Sequence, residues 1–287
     1  MRNKFFIFLQ HIIPQHFLSR TMHKIARVRT AWFKNFLIRN FVKIYNIDML
    51  DYGHKDELDF ESFNDFFTRA LMDGARPIHS AQQTLCSPVD GAMSQSDRIE
   101  NGQIIQAKGM HYSARRLLGD SVWAETYANG NFSTIYLAPF NYHRIHMPID
   151  GKLVKMRYIP GKLFSVNLTT ADNVDALFAR NERVVCEFET ALGKLIMVLV
   201  GAVFVGSIET VWAGEITPAK PRTAFDEEYV DKNISLRRGE EMGRFNMGST
   251  VILLSDNPDL IFDKDLDVVR LGECIAELSS SSANEEE

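Results

Sequence analysis

An α+β fold, with amphipathic helices packed on a mixed, mainly antiparallel β body, is predicted by three observations. Residues 1–76 carry apolar side chains at three- and four-residue spacing, the period of helices that bury one face. From about residue 84 the pattern changes to short runs of strand formers punctuated by Gly and Pro, as in a body of strands and turns. After Leu278 the chain reads SSSSANEEE, too polar and repetitive to bury anything. The organisation expected is therefore a helical region at 1–76, a β-rich body at 77–278 and a disordered tail at 279–287.

The helical pattern is clearest in AWFKNFLIRNFVKIY (31–45) and returns in FESFNDFFTRAL (60–71), where DGARP stops it. The strand pattern runs through FSTIYLAP (132–139), KLVKMRYI (152–159), RVVCEFET (183–190), LIMVLVGAVFVGSI (195–208) and STVILL (249–254), and ETALGKL reads as a hairpin turn. The polar segment 218–247, with PAKPR and LRRGEEMGRF, reads as a surface loop.

With 287 residues, 45% of them apolar, the chain can bury one substantial core. Cys86, Cys186 and Cys274 are odd in number and without metal-ligand spacing, which fits a reducing compartment and suggests neither a disulfide framework nor a zinc knuckle.

Charge is distributed unevenly. Nine of the 32 basic residues precede Asp48, the first acidic one, so the first 46 residues carry +9 in a chain of net charge −5. These cations are interleaved with Phe5, Phe6, Phe8, Leu9, Ile12, Phe17, Trp32, Phe36 and Phe41, the pattern of helices lying on an anionic lipid surface. Nucleic acid is the weaker partner for such a stretch. Gln10, His11, Pro14 and His16 break the first apolar run well short of the roughly 20 residues of a membrane span.

Three clusters could carry chemistry. In SPVDGAMS (87–94), Pro88 and Gly91 flank Asp90 in a turn that presents a carboxylate just before a strand, although an Asx-turn alone would explain it. In APFNYHRIHMP (138–148), His143 and His146 lie three apart. No third metal ligand or HExxH arrangement accompanies them, and in extended chain their rings face opposite ways, suited to separate tasks of orienting and exchanging protons. In GRFNMGSTVILL (243–254), Ser249 sits between Gly248 and an apolar strand. The Gly-x-Ser-x-Gly elbow of hydrolases is missing, since Met247 and Val251 occupy the outer positions. Asp90, a histidine and Ser249 together supply an acid, a base and a nucleophile, which need only converge in space.

The same residues carry a resemblance. FNDFFTRALMDGARPI (63–78), SPVDG (87–91), YHRIHMP (142–148), GKLFSVN (161–167), LFARNERV (177–184), VGAVFVGSI (200–208) and EEMGRFNMGSTVILL (240–254) together make the chain closely similar to the bacterial phosphatidylserine decarboxylases, pyruvoyl enzymes formed by self-cleavage of a proenzyme. Met247 stands where the best-known members carry Leu, a change of similar apolar volume.

The resemblance implies that Ser249 attacks the Gly248 carbonyl, with Asp90 and His146 completing a self-cleavage triad. It further implies that Ser249 becomes a covalent pyruvoyl group, the cofactor, which forms a Schiff base with phosphatidylserine. His143 would then supply a proton after carbon dioxide leaves, while Tyr142, Phe164 and Ser165 would line the substrate pocket. Large and small chains, 1–248 and 249–287, would stay together as a heterodimer, with further dimerisation allowed, and strands of the small chain would complete the β body. No metal and no nucleic acid is implied, and the enzyme would sit peripherally on the cytoplasmic side of the cell membrane. Two other classes remain distinguishable: a metal-dependent hydrolase built on His143, His146 and Asp90, which chelators would silence, and a non-catalytic lipid-binding module, which Ser249→Ala would leave intact.

Overall fold

The computed structural model describes residues 2–53, 56, 58–107, 109–203, 207–218, 222–246 and 249–279. Three helices lead the chain: α1 (Arg2–Ile12), α2 (Gln15–Ala26) and α3 (Ala31–Tyr45). Pro14, which lacks a backbone N–H, forms the break between α1 and α2. Asn46 ends α3 in the left-handed conformation, φ 49°. One face of α3 packs Leu37, Phe41 and Val42 against Phe60, Phe63, Phe66 and Phe67, with the Phe41 ring edge-on to Phe63 at 5.3 Å. The expected second helix, 60–71, forms only over Phe63–Phe67 (α4), capped by the Ser62 hydroxyl on the Asp65 N–H. Beyond it the segment turns to lay Arg69 and Arg76 against the body.

The body is built on a twisted antiparallel sheet with nine strands among the described residues. Its spatial order is 225–228, 151–159, 183–190, 193–200, 249–255, 131–137, 91–98 and 268–269, and 235–236 also pairs with 151–159. The 183–190 and 193–200 strands form the expected hairpin, Thr190 opposite Gly193. The strand 249–255 lies near the centre, bonded on one side to 131–137 and on the other to 193–200. Both of its faces are covered. Val251 and Leu253 join one core with Leu137, Ile145 and Phe245, while Ile252 and Leu254 join a second with Phe132, Val198 and Val200. Burial on both sides is why STVILL reads as a continuous apolar run rather than an alternating one.

A smaller sheet, ordered 214–215, 208–210, 241–245 and 144–146, packs its Ile145, Ile208 and Phe245 into the first core. It corrects the reading of 218–247 as a loop. The strand 241–245 is polar because Glu241 and Arg244 make ion pairs, Glu241 with Arg144 at 2.8 Å and Arg244 with Glu209 at 3.3 Å. The remaining strands of the last 39 residues pair elsewhere: 274–278 lies between 84–86 and 260–262. Of the expected tail, only Ser279 falls within the described residues.

Candidate active site

Gly91 must be glycine for the Asp90 turn to form, because a Cβ there would stand 2.6 Å from the Tyr136 carbonyl oxygen. The turn places the Asp90 carboxylate beside the backbone N–H of Leu271, which donates to Oδ1 at 2.8 Å. Arg76 completes the hold with a two-point ion pair, Nε to Oδ1 at 3.1 Å and Nη2 to Oδ2 at 2.7 Å. Its Nη1 donates to Asp51 at 2.7 Å, so one guanidinium ties the segment behind α3 to the body. The Asp90 bonds raise the Arg76 pKa and keep it charged.

His146 lies in the next segment over. Its backbone N–H donates to the carbonyl of Pro88, at 2.9 Å, which fastens the 144–146 strand to the Asp90 turn. Its ring Nδ1–H donates to the Gly239 carbonyl at 2.8 Å, and Nε2 accepts from the Tyr142 hydroxyl at 2.9 Å. Gly239 reaches that position in a left-handed turn, φ 78°. Burial lowers the His146 pKa, opposed mainly by the Gly239 bond and less by Glu241 and Asp90. The imidazole is thus neutral near pH 7, with its tautomer set by Gly239.

His143 is fully enclosed and stacks on Phe67 with ring centroids 4.1 Å apart. Its Nε2 lies 3.3 Å from the Pro139 carbonyl, and Nδ1 has no partner. Burial pushes its pKa down to about 3, a direction reinforced by the Arg69 charge. The two histidines consequently occupy different surroundings, one among aromatic rings and one between a hydroxyl and a carbonyl.

Ser249 begins the central strand opposite Leu137. Its hydroxyl is completely buried and has no hydrogen-bond partner, an arrangement that costs about 1–3 kcal/mol when nothing compensates it. By strand alternation the side chain faces the core that holds Val251, Ile145 and Phe245. His143 lies against Pro139, just beyond the end of the strand with which Ser249 pairs. Ser249, Asp90 and His146 are not hydrogen-bonded to one another: Asp90 is held by Arg76, and His146 by Tyr142 and Gly239. Gly248 and Met247 lie outside the described residues.

An apolar cavity of about 500 Å³ opens at this end of the sheet, walled by Phe6, Met22, Phe41, Phe67, Tyr136 and Pro139. Ser165 lines it, positioned by its N–H on Gln10 Oε1 at 2.7 Å. Phe164 instead packs on His11, ring centroids 4.9 Å apart, and lines a different cavity beside α1 and α2. Tyr142 is spent on His146 and is not among the residues that wall the apolar cavity. Among the described residues, no group of three or more His, Cys, Asp or Glu side chains is placed to hold a metal ion.

Sequence reasoning did not single out Arg76, Gly239, Phe67 or Tyr136. Arg76 sits in the DGARP stop and Gly239 in RRGEE, where each reads as punctuation. Only the fold shows which carboxylate and which imidazole they meet.

Residues 63–277 match the family model described as phosphatidylserine decarboxylase, and residues 5–46 match a second one described as PSD. The chain is 51% identical over 283 residues to the phosphatidylserine decarboxylase proenzyme of Pseudoalteromonas translucida (strain TAC 125), covering 96% of this chain and 98% of that protein. It is 48% identical over 289 residues to the proenzyme of the same name from Hahella chejuensis (strain KCTC 2396), covering 99% and 97%. With that of Vibrio parahaemolyticus serotype O3:K6 (strain RIMD 2210633) it shares 50% over 263 residues, covering 90% and 92%.

Proposed function

The chain belongs to the phosphatidylserine decarboxylase family and converts phosphatidylserine to phosphatidylethanolamine and carbon dioxide; we propose that it does so only after cutting its own backbone between Gly248 and Ser249. The observation that carries this reading is the Ser249 hydroxyl, buried and unpartnered at the head of a central strand. Most buried hydroxyls are hydrogen-bonded, and this one stands at the bond where the family resemblance puts the cut. A serine consumed in maturation needs no such partner. The experiment is intact-mass analysis of the purified protein beside Ser249→Ala, which should remain one uncut chain.

In the cut, Ser249 Oγ attacks the Gly248 carbonyl carbon, the peptide C–N bond breaks, and the Ser249 nitrogen takes up the hydroxyl proton. The chain is then joined by an ester. His146, neutral through burial, is the base assigned to move that proton, and Asp90, fixed by Arg76, supplies the compensating charge beside it. Both lie at the 86–90 and 144–146 segments that are bonded through Pro88. Loss of the Ser249 α-proton expels the Gly248 carboxylate, and water then releases the Ser249 nitrogen as ammonia, leaving a ketone, the pyruvoyl group, at residue 249. The site fits such a group in that the Ser249 Oγ makes no hydrogen bond that its conversion would break.

A pyruvoyl group at residue 249 would supply an electrophilic carbonyl for the primary amine of the substrate and a sink for the electron pair left by departing carbon dioxide. The protein supplies the surroundings. Phe67, Tyr136 and Pro139 give that end of the sheet apolar walls, surroundings that favour loss of a charged carboxylate as a neutral gas. His143, stacked on Phe67, is assigned to deliver the proton to carbon from its Nε2–H, which lies 3.3 Å from the Pro139 carbonyl.

The small chain holds the central strand 249–255 and the strands 260–262, 268–269 and 274–278, so the two chains are expected to remain one heterodimeric unit after cleavage. The helical front brings that unit to its substrate. Phe5, Phe8, Ile12, Phe17, Trp32 and Phe36 are exposed among the leading cations, and no helix of the described residues is long and apolar enough to cross a membrane. A surface of this kind binds an anionic bilayer peripherally. Phosphatidylserine would then serve as both substrate and electrostatic anchor.

A further inference from the structure

A second cavity, of about 370 Å³, lies at the elbow between α1 and α2 and is lined by other residues than the apolar cavity. Gln10, His11, Ile13, Pro14, Gln15, His16, Phe17 and Arg20 line it from the helices, and Lys162 and Phe164 from the body. The elbow is fixed in place. Gln15 Oε1 accepts the Leu163 N–H at 2.8 Å, Gln10 Oε1 accepts the Ser165 N–H at 2.7 Å, and both glutamines are buried.

The polar groups here share one sign. Arg20 follows His16 by one helical turn and shares its face, and Lys162 arrives from the opposite wall. Arg222 stands behind, its Nη2 donating to His16 Nε2 at 2.8 Å and to the Gly161 carbonyl at 2.9 Å. No carboxylate lines the cavity. Among the described residues, the acid paired with this group is Glu182, which lies 3.9 Å from Arg222 Nε, is itself buried, and accepts from the Tyr158 hydroxyl. Arg20 and Lys162 form no ion pair among the described residues. The same elbow carries exposed Phe8, Ile12 and Phe17, and Phe17 lines the cavity together with the cations.

We propose that this cavity seats the phosphate of a phospholipid headgroup on Arg20 and Lys162, while Phe8, Ile12 and Phe17 enter the acyl region of the same leaflet. It is a docking seat separate from the apolar cavity. The inference rests on the reading that the helical front lies on an anionic bilayer, and adds a discrete ligand position to it. A free phosphate would satisfy the cations but leave the rings in water; the lipid satisfies both.

The test follows the His16 ring by NMR in the full-length protein, titrated with dihexanoylphosphatidylglycerol or with inorganic phosphate, alongside sedimentation with phosphatidylglycerol vesicles. The short-chain lipid is expected to shift the ring saturably at a concentration at least about tenfold below that of phosphate, because its methylenes add apolar burial. Arg20→Gln with Lys162→Gln should abolish the saturable shift, whereas Lys24→Gln with Lys43→Gln should keep it. Both pairs are exposed, and an unchanged melting temperature verifies that each is folded. In sedimentation, the cavity pair should lose more affinity than the roughly 30-fold expected for any two neutralised surface charges, which the control pair measures. Equal response to lipid and phosphate would make this a free-phosphate site and overturn the proposal. Absence of a saturable shift with either would also overturn it. If the parent protein does not sediment at all, the bilayer reading falls as well; if it does, and the two pairs are equally weakened, that reading stands and the seat alone is lost.

Discussion

Arg76 and Asp90 are joined at two points, 3.1 Å and 2.7 Å, at a site where their side chains are only 9% and 11% exposed. Removing one partner of such a pair leaves a charge without compensation and costs about 3–5 kcal/mol. Arg76→Ala is expected to fall in that range, measured by urea unfolding in the Ser249→Ala background so that a single chain is compared. Arg76→Lys keeps the charge but loses the fork, and should recover part of the loss. A change under about 1 kcal/mol for Arg76→Ala would contradict the reading of this pair as the support of Asp90.

The two histidines should separate by phenotype. His146→Ala is expected to leave the chain uncut, because the base beside the Asp90 turn is gone, with self-cleavage slowed at least about 100-fold. His143→Ala should still be cut yet lose decarboxylation, followed as carbon dioxide release. The reverse pattern would exchange the two assignments. Tyr142→Phe, which strips the hydroxyl from His146 Nε2, should slow cleavage about tenfold without changing its position.

Stability should depend on pH through the same rings. Burial depresses His143 to about 3 from an ordinary value of 6.5, and lowers His146 as well. A depressed histidine stabilises the fold fully above its unfolded pKa. As pH falls below about 6.5 the unfolded chain binds a proton that the native chain refuses, so stability is lost toward the folded value at up to about 1.4 kcal/mol per pH unit. In urea unfolding between about pH 7 and pH 5, His143→Gln in the Ser249→Ala background should give a slope shallower by up to one proton. Parallel slopes would show that His143 is not held neutral.

These assignments divide sharply in how far they are legible from sequence. The spacing in 31–45 identifies α3 with its observed ends, and the apolar run after Ser249 identifies the strand that both cores bury. Helices at 114–118 and 121–126 are too short for a period to emerge. The strand 241–245 is concealed by Glu241 and Arg244, whose charges are answered across the sheet by Arg144 and Glu209. At the site, the residue types of Asp90, His143, His146 and Ser249 suggest chemistry, but spacing cannot show that Arg76 occupies the Asp90 carboxylate. Nor can it show that Phe164 turns toward the elbow while Ser165 faces the apolar cavity. Such pairings depend on chain segments brought together by the sheet.

Membrane attachment should respond to apolar side chains as well as to charge. Trp32 and Phe36 are 73% and 61% exposed on α3. Replacing both by Ser should weaken sedimentation with phosphatidylglycerol vesicles by at least about 100-fold, since each buried aromatic contributes about 1.5–3 kcal/mol. Unaltered binding would remove α3 from the contact.

The central claim is that Ser249 is consumed once to build the group that does the chemistry. Intact-mass spectrometry of the purified protein, run under denaturing conditions, tests it most directly. The expected result is two chains, 1–248 and 249–287, the 39-residue chain blocked at its amino end by a ketone in place of an amine, with Ser249→Ala giving one inactive chain of full length. A single uncut chain that releases carbon dioxide from phosphatidylserine would contradict it.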